Sequence, residues 1–139
     1  MNFTTYDIAT LLVDSASGLN LVLGSNLHLS KMPDSPVYCV TLYDSGGLDR
    51  EILTGATEGS TDVSLEKPFF QIRMRDTGYE GVMTKASEIA SYLHGLGGVE
   101  VNSTLYMAII MQGDILFLEY DENKRPLVAM NFRVLRRPV

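Results

Sequence analysis

The sequence predicts an α+β fold: an antiparallel or mixed sheet with one long amphipathic helix packed on it and a further helix at the N-terminus. Three observations predict it. Tyr79, Val82, Met83, Ala86, Ile89, Ala90 and Leu93 recur at helical spacing and make one apolar stripe. Residues 68–76 and most of 99–135 instead alternate, or run apolar and β-branched, between turn signals. Strands and helices do not alternate regularly along the chain, which disfavours a parallel α/β sheet. The length of 139 residues suits a single domain over residues 1–139. Such a domain buries about two-thirds of its open-chain surface.

The elements follow in order. Residues 5–16 predict the N-terminal helix: Thr5 is placed to cap it, Ile8, Leu11, Leu12 and Ala16 share a face, and Gly18 stops it. Residues 26–30 and 37–43 read as strands. The turn Met32-Pro33-Asp34-Ser35-Pro36 separates them, its prolines fixing φ. Residues 44–66, rich in Gly, Ser and Thr, read as a long loop, an uncommon feature in a compact domain and often a functional one. In 68–76, Phe70, Ile72 and Met74 face one way and Gln71, Arg73 and Arg75 the other. Thr77-Gly78-Tyr79-Glu80 fits a capping box at the start of the long helix, and Gly95, Gly97 and Gly98 end it. The remainder predicts strands at 99–101, 105–111, 115–120 and 127–135. Turns at Asn102-Ser103 and Gly113-Asp114 and the polar link 121–126 divide them.

Chemistry is scarce. Cys39, the only cysteine, excludes an internal disulfide and a Cys-pair zinc knuckle, and inside a strand it reads as a small core hydrophobe. His28 and His94 lie far apart, with no zinc spacing; His94 at a helix end suits the last carbonyls. Asp121-Glu122-Asn123 lacks the later glycine and glutamate of a calcium loop. Gly95-Leu96-Gly97-Gly98 follows a helix, whereas a phosphate cradle opens one. Asp7 and Asp14 read as a solvated face. The residues predict no enzyme, no cofactor, no metal, no secretory signal and no membrane segment, since the longest apolar runs are about six residues against the roughly 20 needed.

Charge is more informative. The chain carries 11 Lys+Arg against 17 Asp+Glu, net −6, which argues against generic phosphate-driven binding of nucleic acid. Residues 44–66 hold Asp44, Asp49, Glu51, Glu58, Asp62 and Glu66 against Arg50 alone, leaving the rest of the chain almost neutral. Basic residues gather at Arg73 and Arg75 and at Arg133, Arg136 and Arg137.

Several motifs together carry a resemblance. They run from Leu23-Gly24-Ser25-Asn26-Leu27 through the Pro-rich turn to Leu42-Tyr43-Asp44-Ser45-Gly46-Gly47. Phe70-Gln71-Ile72-Arg73-Met74-Arg75 and Gly78-Tyr79-Glu80 follow, then Leu93-His94-Gly95-Leu96. The set ends at Asp121-Glu122-Asn123-Lys124-Arg125-Pro126 and Asn131-Phe132-Arg133-Val134. Over roughly residues 19–137 the chain resembles the bacteriophage minor capsid and tail-terminator (tail completion) family. The stretch 48–66 is longer and richer in Gly and Thr than the family pattern.

The resemblance implies a structural virion protein, made in the host bacterial cytoplasm. It implies a homo-oligomer, usually a hexameric ring, that caps the tail tube protein and meets the head-completion (neck) protein. Genomic DNA passes through the lumen without specific binding, and there are no catalytic residues to carry over. A head-completion (connector) protein of the adjacent ring is the alternative, with a small ligand-binding module or enzyme behind it. The expected interface residues are Arg73, Arg75, Arg133, Arg136 and Arg137. Asp44, Asp49, Glu51, Glu58 and Asp62 are the expected lumen- or tube-facing loop.

Overall fold

The computed structural model describes residues 3–52 and 64–138. Strands hold 50% of the structure and helices 23%, so the molecule is sheet-dominated. Its elements are α1 (Thr4–Val13), a 3-10 turn (Ser15–Ser17), β1 (Leu27–Leu29), β2 (Cys39–Ile52), β3 (Ser64–Arg75), α2 (Tyr79–Leu93), β4 (Val99–Val101), β5 (Thr104–Tyr120) and β6 (Pro126–Pro138). The six strands form one half-barrel sheet in the order β1-β2-β3-β6-β5-β4. Among the named strands of the described residues, only β1 and β2 pair in parallel.

This corrects the expected fold class, an α+β layering with one long helix packed on a sheet. Residues 79–93 are helical, but those 15 residues span roughly 22 Å. The 17 residues of β5 reach roughly 56 Å. Two short helices do not form a layer over such strands.

The strands outgrew expectation because glycines read as turns lie inside them. β2 continues to Ile52 and β3 starts at Ser64, so both ends of the expected 44–66 loop are paired strand. The register slips between Asp44 and Gly47, where Gly46-Gly47 sits, and again between Gln112 and Leu116, at Gly113-Asp114. A bulge absorbs the extra residue, bends the strand and keeps the pairing. Gly47 is required by close approach: a Cβ there would lie 2.5 Å from the Lys67 carbonyl oxygen and 2.8 Å from Pro68 Cα.

The core lies on one sheet face. Phe70, Ile72 and Met74 of β3 pair across to Phe132, Met130 and Val128 of β6, all fully buried. The Phe70 and Phe132 rings stack at 5.0 Å. Ile8, Leu11 and Leu12 of α1 and Val82, Ala86, Ile89 and Leu93 of α2 join this cluster. Burying seven such side chains is worth about 1.5–3 kcal/mol each for the larger ones.

The predicted caps do not form. Phe3 and Gly78 precede the two helices and neither gives a side-chain cap bond. Thr5 lies inside α1, where its hydroxyl donates to Asp44 Oδ2 at 3.0 Å. The His94 side chain does not serve the helix carbonyls as expected, only its backbone amide does, to Ala90; its Nδ1 accepts the Met111 amide of β5 at 3.0 Å.

Candidate functional site

The sheet face opposite the core is the open one. Strand parity places Tyr43, Gln71, Asn131 and Gln112 on it in one row across β2, β3, β6 and β5, each in register with the next. Gln71 Nε2 donates to Asn131 Oδ1 at 3.0 Å, and Arg73 Nε donates to Gln71 Oε1 at 2.7 Å. The Arg73 guanidinium also lies 5.1 Å from the centre of the Tyr43 ring, a cation–π distance. Arg133 stands on the same face one pleat from Asn131 and is exposed. Arg137 follows the same parity, half-buried, donating to the Pro138 carbonyl.

Three of the five predicted interface arginines therefore share a face, and two are corrected. Arg75 is buried and spends its guanidinium inside the chain. Its Nε donates to the Val37 carbonyl, and its Nη2 to those of Pro33 and Pro36. It pins the Pro-rich turn to the sheet. Arg136 turns to the core face, also buried, and pairs with Glu66 through Nε at 2.9 Å and with Asp7 at 3.5 Å. Both go inward because a guanidinium shielded from water is held only where carbonyls or carboxylates satisfy its donors.

Arg136 belongs to a buried network that the sequence did not announce. Tyr106 donates its hydroxyl to Asp7 Oδ2 and receives a bond from Arg136 Nη1 at 3.0 Å. Asn102 Nδ2 donates to Asp7 Oδ1 at 2.8 Å, and Arg50 reaches Glu66 at 3.0 Å. The set ties α1, β3, β5 and β6 together beneath the first helix. Burial, with the Asp7 bond behind it, pushes the Tyr106 phenol well above its ordinary value, partly offset by Arg136. Asp7, expected on a solvated face, is fully buried. One signal was available: Asp7 stands four residues before Leu11, on the helix's own apolar stripe.

The predicted acidic loop residues disperse. Asp44 accepts from the Thr5 hydroxyl and amide and anchors α1 to β2. Glu51 pairs with Lys67 at 2.6 Å. Asp49 is exposed on β2. Glu58 and Asp62 lie outside the described residues.

No cluster of metal-ligating side chains occurs among the described residues. Cys39 is buried; burial raises its thiol pKa, with Thr41 and Arg75 opposing. No helix of the described residues is long and apolar enough to cross a membrane.

Two surfaces were not foreseen. The outer end of β5 exposes Leu116, Phe117, Leu118 and Tyr120, with Phe117 edge-on to Tyr79 and Tyr120. An apolar groove of about 290 Å³ crosses the open sheet face between Leu48, Phe69, Ile110 and Leu135, rimmed by Lys67 and Arg133.

The family model for the bacteriophage tail terminator protein matches residues 12–136. The chain belongs to the bacteriophage tail terminator family. No curated protein matches it in sequence. In fold, this tail terminator is similar to a chain of the virion of a native gene transfer agent particle. The TM-score is 0.60 at 11% identity, covering 96% of this chain and 94% of that one. A tail terminator is a virion structural protein that assembles with other tail and head proteins. The open face and the β5 end are thus its candidate contacts, and the bound arginines Arg75 and Arg136 its scaffold.

Proposed function

We propose that this tail terminator forms a closed ring, usually of six copies, that caps the finished tail tube, stops its growth and presents the surface that joins the head. The family match over residues 12–136 carries this reading. The exposed surface supports it: Arg73 and Arg133 stand open with no carboxylate in ion-pair reach among the described residues. Such charges set register and speed encounter at an interface. A ring needs head-to-tail contacts that close by rotation. DNA passes the lumen without specific contacts, and Asp49, an exposed acid of β2 without an ion-pair partner among the described residues, faces the lumen or the tube.

The test is removal of the protein during particle production. The expected outcome is tails of abnormal length that fail to join heads, seen by electron microscopy and restored by supplying the chain. Normal-length tails on filled heads would overturn the reading. Replacing Arg73 and Arg133 by Ala is expected to leave stability within about 0.5 kcal/mol per site, as for most surface changes. The same variant is expected to lower the yield of joined particles.

A further inference from the structure

We propose that the outer end of β5 in one copy docks into the apolar groove on the open sheet face of a second copy, head to tail. The inference rests on the ring reading and names the two surfaces that meet.

The donor surface is out of place on an isolated molecule. Leu116 and Tyr120 are 53% and 56% exposed, and Leu118 and Phe117 about 38% and 37%. Beyond Met111, no strand or loop among the described residues pairs with the outer edge of β5, since β4 covers only its first residues. Natural edge strands are usually protected by lysine, proline or bulges. This segment has neither Lys nor Pro, and its bulge at Phe117–Glu119 bends the backbone without removing the apolar side chains. The bulge interrupts the regular backbone edge that strand pairing needs, so the apolar side chains are the part left to dock.

Charge selects the partner. Asp114, Glu119 and Glu122 surround the β5 end, and none has an ion-pair partner among the described residues. Leu116 and Glu119 lie on the open face, beside Ala129 and Leu127. The groove presents the complement: Leu48, Phe69, Ile110 and Leu135 form an apolar floor, and Arg133 stands at its rim without a carboxylate. Leu48 is 59% exposed. The β5 end, acidic and apolar apart from Lys124, and the basic, apolar groove are complementary, so a second copy of the chain satisfies both. The two patches are different, so the contact is heterologous and propagates until it closes.

Charge exchange tests this. Glu119→Arg and Arg133→Glu each place like charges in the contact. Each is expected to weaken self-association at least about tenfold in sedimentation and native mass spectrometry, with an unchanged melting temperature. The Glu119→Arg/Arg133→Glu double variant is expected to recover, and so is an equimolar mixture of the two single variants. Recovery in the mixture shows that the two residues meet between copies and not within one. Single variants that assemble like wild type, or folded double variants and mixtures that do not recover, overturn the docking while leaving the ring intact. Wild-type protein that stays a single copy, both alone and in assembled particles, overturns the ring and the docking with it.

Discussion

Asp7 and Arg136 show how much of this molecule depends on a few buried ions. Removing one partner of such a set strands the other in a medium that solvates it poorly. Arg136→Met is therefore expected to cost about 3–5 kcal/mol, read as a lower urea midpoint at unchanged slope. The loss comes chiefly from Asp7, which keeps its burial and loses its cation, while Glu66 is left with the exposed Arg50 alone. Tyrosines set a second dependence. Burial, followed by Asp76 and Glu88, pushes Tyr38 up to about 12 from an ordinary 10.0. Lys85 lies 3.8 Å from its ring centre. A phenol whose pKa is raised by folding favours the folded state at pH below its unfolded value. That stability is lost as pH rises through the folded value. Unfolding free energy is thus expected to fall between about pH 10 and 12, with Tyr38→Phe flattening the drop in urea titrations at each pH. None of these roles was legible from spacing, apart from the Asp7 position on an apolar stripe. Arg75 alternates with core residues just as Arg73 does, and what distinguishes it is the Pro-rich turn that folds over it; Arg136 instead continues the core parity of Phe132 and Val134.

At the scale of elements, patterns predicted type better than extent. The apolar stripe of α2 and the alternation around Phe70 both appear where expected. Their depth is testable: Ile89→Ala, fully buried, is expected to cost about 2–5 kcal/mol in thermal or urea unfolding. Extents failed at glycine. Gly46-Gly47 and Gly113 look alike whether they reverse a chain or bulge it, and only the partner strand decides. Gly47→Ala tests the bulge. Its Cβ would meet the β3 backbone at 2.5 Å, so about 1–3 kcal/mol of destabilisation is expected, whereas a loop glycine would tolerate the change. Caps failed similarly. Thr5 had a local role available but found Asp44, distant in sequence, and the tertiary bond won.

Across the whole molecule, the charge asymmetry changes meaning. Residues 44–66 hold most of the net charge, yet Asp44, Glu51 and Glu66 are each engaged with α1, Lys67 or arginines, so part of the surplus is internal wiring. The open face is locally basic in an acidic protein, a distribution suited to meeting its own acidic corner. Sequence alone determined the family, through motifs scattered over most of the chain. It also determined which residues form α2 and the inner face of β3 and β6, because those depend on the local periodicity of any element with one face in the core and one in water. Tertiary structure alone decided the sheet-dominated class, the burial of Arg75, and the exposure of the β5 end. Each of these depends on which strand lies beside which. That is fixed by long-range pairing and bulge placement, to which a one-dimensional pattern is blind.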